Sequence, residues 1–215
     1  TSSITADKIA LGETKSTGDL TITGALTLHD SLNIGGTLTI GTYGAALRNA
    51  FDGAEISADV IDVTASTVAN STFTAESDVT LDVAGGISGT SVVANSGEMT
   101  IWAVETINAS EFQMKDGYAE VDADQIIDSS ITAMGPSSLN PADLIGDATV
   151  SANVISGSSI FVDQDLEVYS GSITNSDLNS DSGTVLVENA SALENVDIAA
   201  LTKVDVKAND ATGGS

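Results

Sequence analysis

The chain lacks several of the residues that small-molecule chemistry and metal binding rely on. Its 215 residues include no cysteine, two prolines, one histidine and one tryptophan. Without cysteine the chain forms neither a disulfide framework nor a thiolate metal site, and a lone histidine, His29, excludes a multi-histidine site. No apolar run approaches the roughly 20 residues that a membrane-spanning helix needs. The sequence therefore predicts no membrane insertion.

Basic residues are also scarce. Six Lys and Arg face 31 Asp and Glu, which gives a formal net charge of −25. A nucleic-acid partner is excluded, because a phosphate backbone needs clustered basic side chains. The carboxylates are dispersed along the chain, a pattern that favours solubility and cation binding over a disordered acidic tail.

What the chain does have is strand-forming and turn-forming residues arranged in a repeat. Between residues 59 and 133, apolar positions alternate with polar ones and recur every twenty residues. Alternation places residues i and i+2 on one face of a strand, and a fixed period of this length is typical of a solenoid. The recurring positions are Ile61, Leu81, Ile101 and Val121; Val63, Val83, Ala103 and Ala123; and Ile87, Ile107 and Ile127.

The same rhythm continues on both sides of this region. Leu20 and Ile22 recur eighteen residues later, and the C-terminal part repeats every nineteen residues at Leu166, Val185 and Val204, and at Val168, Val187 and Val206. We therefore predict an all-β fold, a parallel β-helix (β-solenoid) of roughly ten coils with 18–20 residues per coil. At about 4.8 Å per stacked strand it would form a rod near 50 Å long.

The rhythm also divides the chain. Residues 1–18 are expected to form an N-terminal cap or a strand donated to a neighbouring subunit, 19–209 the β-solenoid, and 210–215 a tail. Two insertions interrupt the solenoid near 43–55 and 135–147. Helical spacing of the apolar residues predicts a short helix or loop in the first insertion, with Ala50 and Phe51 at its end.

Several segments resemble known repeat families. The segments DVIDVTAS, DVTLDVAGG, EMTIWAVET and YAEVDADQI resemble the β-helical repeats of secreted bacterial exoproteins of the filamentous-haemagglutinin type. The segment LTITGALTLHDSLNIGGTLTIG is similar to the solenoid of polymer-forming bactofilins, and ITADKIALG resembles short repeats of phage tail fibres. These resemblances imply an elongated structural or adhesive protein, with no catalytic residues to transfer.

An outward acidic row is the candidate metal site. Asp62, Asp82 and Asp122 fall between the inward positions of the repeat, and Asp124 adds a D-x-D pair. Stacked carboxylates repel unless they are protonated, well solvated or bridged by a cation. Calcium, a hard ion that binds carboxylate oxygens, is the cofactor this row would take. The alternative interpretation is a solvated acidic face.

The outward row also contains Trp102, which is expected to contact a neighbouring subunit or a sugar, or else to pack beneath an inserted loop. Threonine pairs such as Thr21 and Thr23 leave ice binding as a minor alternative. Arg48, the only arginine, is the one basic candidate for a calcium-dependent polysaccharide lyase.

The leading hypothesis is a non-enzymatic structural protein, a subunit of an extracellular filament, sheath or surface layer. It would form a head-to-tail homopolymer through the solenoid ends, where the candidate assembly residues are Ile4, Ile9, Leu11, Val204 and Val206. An adhesin or phage-fibre module that binds surface glycans is the second hypothesis, and the lyase is the third. A chain that begins with Thr1 is compatible with an exported protein or with a trimmed chain, and we expect an extracellular or cell-surface location.

Overall fold

The structure is a computed structural model that describes residues 2–11, 14–28, 31–41, 49–135, 146–188 and 190–207. Within these ranges it contains strands and turns but no helix. The strands are β1 (Ser2–Leu11), β2 (Thr14–Ser16), β3 (Leu20–Leu28), β4 (Ser31–Ile40), β5 (Ala50–Asp52), β6 (Glu55–Ala65), β7 (Thr67–Ala69), β8 (Thr72–Ala75), β9 (Val79–Val83), β10 (Ile87–Ser88), β11 (Ser91–Ala94), β12 (Gly97–Asn108), β13 (Glu111–Met114), β14 (Gly117–Ile127), β15 (Ser130–Ala133), β16 (Ala148–Ser156), β17 (Ser159–Val162), β18 (Leu166–Thr174), β19 (Asp177–Ser180), β20 (Thr184–Glu188), β21 (Ala192–Glu194), β22 (Asp197–Ala200) and β23 (Lys203–Lys207).

The strands form the predicted parallel β-solenoid, with about nine turns. Each strand pairs in parallel with its counterpart one coil away, as β12 does with β9 and β14. The chain passes through three ranks of stacked strands in each coil, and the inward side chains of the ranks form one continuous core. The prediction of roughly ten coils agrees with this architecture.

In the first rank one column of register partners runs the length of the solenoid. All eleven members are aliphatic, and those from Ile22 to Val187 are buried. We call this set the Ile4–Val206 column: Ile4, Ile22, Ile40, Val63, Leu81, Ile101, Val121, Val150, Val168, Val187 and Val206. β-branched side chains suit such a column because they pack well on a pleated surface.

The second and third ranks carry comparable columns. The second contains Phe51, Val68, Ile87, Ile107, Ile126, Ile155, Ile173 and Leu193. The third contains Leu32, Ile56, Phe73, Val92, Phe112, Ile131, Ile160, Leu178 and Ile198. Phe51 and Phe73 join these two ranks through an edge-to-face contact, with ring centroids 6.2 Å apart.

The register differs from the predicted one at two places. Ile61 pairs with Val79, and Leu81 pairs with Val63, so this coil has eighteen residues where twenty were predicted. A shift of two residues keeps every side chain on its face, so the hydrophobic pattern could not reveal it. From Leu81 to Val121 the predicted twenty-residue step is confirmed, as is the nineteen-residue step through Val185 and Val187.

The second difference concerns the third predicted column. Ile107 pairs with Ile126, which is fully buried, and not with the predicted Ile127. A register irregularity between Ala103 and Thr106 gives β12 one residue more than β14 at this point. A bulge of this kind moves the following residues by one position and therefore exchanges their faces.

The first insertion also differs from its interpretation. Ala50 and Phe51 lie in strand β5, and Glu55 begins strand β6, so the helical spacing of these residues did not correspond to a helix. Phe51 is part of the core. Residues 42–48, including Arg48, and residues 136–145 of the second insertion lie outside the described residues, as do His29 and the tail from 210.

The corner between the second and third ranks contains a stack of buried hydroxyls. We call it the serine ladder: Ser71, Thr90, Ser110, Ser129, Ser158 and Ser176. Ser129, for example, donates from Oγ to the carbonyl oxygen of Ile127 at 2.8 Å and accepts the backbone N–H of Ser110 at 3.2 Å. Each hydroxyl follows a residue with positive φ, such as Asp128 at 48°. The ladder thus satisfies backbone groups at a turn where strand pairing is interrupted.

Candidate functional site

The outer face of the first rank carries one row of register partners that spans eight coils. We call this the outward row: Thr64, Asp82, Trp102, Asp122, Ser151, Tyr169, Glu188 and Lys207. In the middle of the row, Trp102, Asp122 and Tyr169 alternate with buried positions in their strands and so point away from the core. Neighbours in the row are about 4.8 Å apart along the solenoid.

A groove of about 490 Å³ lies on this face, where the chain bends between the first and second ranks. One wall is formed by the middle of the outward row, from Trp102 to Tyr169. The other wall is formed by the residues two positions later in each strand, from Val104 to Gly171. Alanine side chains of the core lie between them. The lining residues are Trp102, Ala103, Val104, Asp122, Ala123, Asp124, Ser151, Ala152, Asn153, Tyr169, Ser170 and Gly171.

Two aromatic side chains mark the ends of the groove. Trp102 is 45% exposed and Val104 beside it is 57% exposed. Tyr169 lies three coils further along, about 14 Å away by the strand spacing. Its hydroxyl donates to Oε2 of Glu167 at 2.9 Å, and this hydrogen bond, together with the carboxylate charge, raises the pKa of Tyr169. The phenol is therefore held in place and neutral at physiological pH.

Between the aromatic residues the groove is polar. Nδ2 of Asn153 donates to Oδ1 of Asp124 at 2.7 Å, an inter-coil hydrogen bond that orients both side chains. Asp122, in the opposite wall, has its pKa raised by partial burial. The groove therefore offers carboxylate, amide and hydroxyl groups between two aromatic rings.

The structure distributes the four predicted metal-binding aspartates over two places. Asp122 and Asp124 share the groove, whereas Asp82 is separated from Asp122 by Trp102. Asp62 is out of line with the row, because its register partner is Thr80. In the part of the chain that the structure describes, no three His, Cys, Asp or Glu side chains form a group suited to a metal ion.

Asp62 and Asp82 nevertheless influence each other. Partial burial raises the pKa of Asp62, and the Asp82 carboxylate raises it further. Asp82 pairs with Thr64, two residues after Asp62, so the carboxylates are diagonal neighbours on one face. Their repulsion is the closest match in the structure to the predicted acidic row.

The predicted assembly residues lie at the two ends of the described stack. Val204 and Val206 occupy inward columns in β23 but are 43% and 39% exposed, whereas Val185 and Val187, one coil earlier, are fully buried. Leu193 ends the second-rank column and is 40% exposed. At the other end, β1 lies in the chain's own stack as a parallel partner of β3, with Ile4, Ile9 and Leu11 opposite Ile22, Leu26 and Leu28.

Sequence reasoning identified Trp102 as an outward residue but did not associate it with Tyr169. The signal was present, because Trp102, two positions before Val104, and Tyr169, two positions before Gly171, belong to one register. The second insertion lengthens the step from Asp122 to Ser151 to 29 residues and so hides that register from a search at a constant period.

Comparisons with protein-family models, with curated proteins and with solved structures found no match. In the described part of the chain, no helix is long and apolar enough to cross a membrane.

Proposed function

We propose that this protein is a non-enzymatic structural β-solenoid, a subunit of an extracellular filament, sheath or surface layer that assembles through its ends. The observation that carries the proposal is the exposure of Val204, Val206 and Leu193. Each occupies an inward column whose preceding member is fully buried. A further coil of parallel strands stacked on this end would bury them in the same way.

The first coil of a second copy fits this role. The Ile4–Val206 column begins and ends with β-branched residues, so stacking one copy on another would place Ile4 after Val206 and continue the column. Strands β21, β22 and β23 also present backbone groups that have no strand partner on their outer side among the described residues. Unpaired parallel edges of this kind are templates for pairing with another chain. Because the contact joins two different surfaces, it repeats without closing and produces a filament.

A solenoid polymer of this type also agrees with the resemblance to exoproteins of the filamentous-haemagglutinin type and to bactofilins. We extend the proposal to location on that basis, with the polymer outside the cell. A surface with a net charge of −25 keeps such rods soluble and separate at their sides, so that apolar association is directed to the ends.

Electron microscopy of the purified chain tests the proposal. We expect fibres with an axial repeat of roughly 50 Å, the length of one stack of eleven strands. Val206→Asp should abolish the fibres, since it places a charge in the end contact, while Phe161→Ser, on the side of the rod, should leave them unchanged. Discrete particles for the unaltered chain, or fibres that persist in Val206→Asp, would contradict end-to-end assembly.

A further inference from the structure

We infer that the groove between Trp102 and Tyr169 binds a neutral oligosaccharide that lies along the solenoid. The site is independent of the ends of the rod, so it can be tested whether or not the chain assembles. The groove lies on the side of the rod, a surface that end-to-end assembly does not involve.

The aromatic residues are the first argument. Trp102 lies in the outward row with nearly half of its surface exposed, and no ring contact involving it is found among the described residues. Nearly half of the surface of this large apolar ring is therefore in contact with water in the free protein. It gains burial when a ligand covers it, and the C–H face of a sugar ring is flat and apolar enough to do so.

The polar groups are the second argument. Asp122, Asp124 and Asn153 provide hydrogen-bond acceptors and an amide donor within the groove, as sugar hydroxyl groups require. Asp124 and Asn153 already orient each other, so their side chains lose little freedom on binding.

Charge restricts the ligand class. The lining contains two carboxylates and no Lys, Arg or His. Lys207 acts electrostatically on Tyr169, but its Nζ is paired with Oε1 of Glu188 at 2.6 Å. Anionic glycans and phosphate groups would therefore be repelled, and the ligand that fits is uncharged.

Shape gives the orientation. A volume of about 490 Å³ lies within the range of roughly 300–1,000 Å³ that is usual for small-ligand sites. The groove crosses four coils, and its ends are about 14 Å apart by the strand spacing. A linear chain of sugar rings parallel to the solenoid axis would reach both aromatic side chains, whereas a monosaccharide would reach one.

Trp102 is the only tryptophan in the chain and therefore reports on its own site. The probes are linear neutral oligosaccharides of one to six hexose units, from the cello-, laminari-, malto- and manno- series. We expect the fluorescence of Trp102 to change with at least one series, and the affinity to rise with chain length until both rings are covered. No change with any member, and no retardation in gels that contain the parent polysaccharides, would overturn the inference.

Variants assign the binding to the groove. Trp102→Ala and Tyr169→Ala should each weaken retardation in the polysaccharide gel at least about tenfold. Phe161→Ala, which removes an exposed aromatic residue elsewhere on the rod, should have no effect. Equal retardation of Trp102→Ala and the unaltered chain would overturn the inference. So would a fluorescence change that calcium alone produces and that persists in the Asp62→Asn, Asp82→Asn double variant, because the groove itself would then be a cation site. Fibre formation by Trp102→Ala should be normal, which separates this result from the test of end-to-end assembly.

Discussion

Oδ1 of Asp78 accepts a hydrogen bond of 2.9 Å from the backbone N–H of Glu98, one coil away, and occupies the space that a Cβ on Gly97 would need. The same arrangement recurs with Asp165, which accepts the N–H of Thr184 beside Gly183. These aspartates bridge neighbouring coils at the corner before the first rank. Part of the large acidic charge therefore has a structural use, since each carboxylate satisfies a backbone donor that no strand pairs.

The first prediction concerns this corner. Gly97→Ala should lower the free energy of unfolding by about 2–3 kcal/mol, because Gly97 has φ of +87° and the added methyl group displaces the Asp78 carboxylate. Gly53→Ala is the matched control, since Gly53 has φ of +70° but open space around it, and it should cost only about 1 kcal/mol. Urea unfolding of both variants measures the difference.

A double-mutant cycle tests whether the larger loss of unfolding free energy in Gly97→Ala comes from displacement of the Asp78 carboxylate. In an Asp78→Ala background the additional effect of Gly97→Ala should fall to that of Gly53→Ala, because the displaced carboxylate is already absent. An unchanged additional effect would mean that the carboxylate is not the group displaced.

The second prediction concerns the serine ladder. Ser129→Ala should destabilise the chain by about 1–3 kcal/mol, because it leaves the buried backbone N–H of Ser110 without its acceptor. Ser130→Ala, one residue later and outside the ladder, should change stability by no more than about 0.5 kcal/mol. The comparison is made by urea unfolding, and equal effects of the two substitutions would show that the ladder adds no stability.

Alternation and period were sufficient to predict the fold class from the sequence. The predicted inward positions from Leu81 to Val121 and from Leu166 to Val206 are register partners in the structure. Strands that bury every second residue leave a strong signal of period two, and it does not depend on what happens at the corners.

The corners are where prediction was limited. The eighteen-residue step at Ile61 and the bulge in β12 change which residues are neighbours without disturbing the alternation within each strand. The groove depends on such neighbours. Trp102 and Tyr169 can be assigned to the same row only when the lengths of the coils between them are known. For the same reason Asp62 and Asp82, which were predicted to be aligned, are diagonal neighbours in the structure.

The third prediction concerns pH. The pKa of Asp62 is raised above its ordinary 3.8 by burial and by Asp82, and burial also raises the pKa values of Asp122 and Asp147. The folded chain therefore retains protons that the unfolded chain has lost, so the free energy of unfolding should fall as pH rises from about 3.8 upward. The lowered pKa of Asp205 acts in the opposite direction at one fully exposed site. Thermal unfolding should occur at a higher temperature near pH 4.5 than at pH 7.

Asp62→Asn separates this effect from the general charge of the chain. It should raise the melting temperature at pH 7 and reduce the difference between the two pH values. Asp59→Asn, which removes an exposed charge from the same strand, is the control for net charge. If both variants behave alike, the pH dependence comes from the overall charge and not from the electrostatic interaction between Asp62 and Asp82.

The last prediction concerns calcium, the cofactor expected from the acidic row. A divalent cation between Asp62 and Asp82 would remove the repulsion that raises the pKa of Asp62. We expect millimolar calcium to raise the melting temperature at pH 7, an excess of chelator to reverse the increase, and magnesium to act less strongly, because it gives up its bound water reluctantly. In the Asp62→Asn, Asp82→Asn double variant the increase should disappear, whereas in Asp59→Asn it should persist. An equal response of all three chains would mean that calcium acts by diffuse screening of the acidic surface. If the melting temperature of the unaltered chain does not respond to calcium, the hypothesis of a calcium site is wrong.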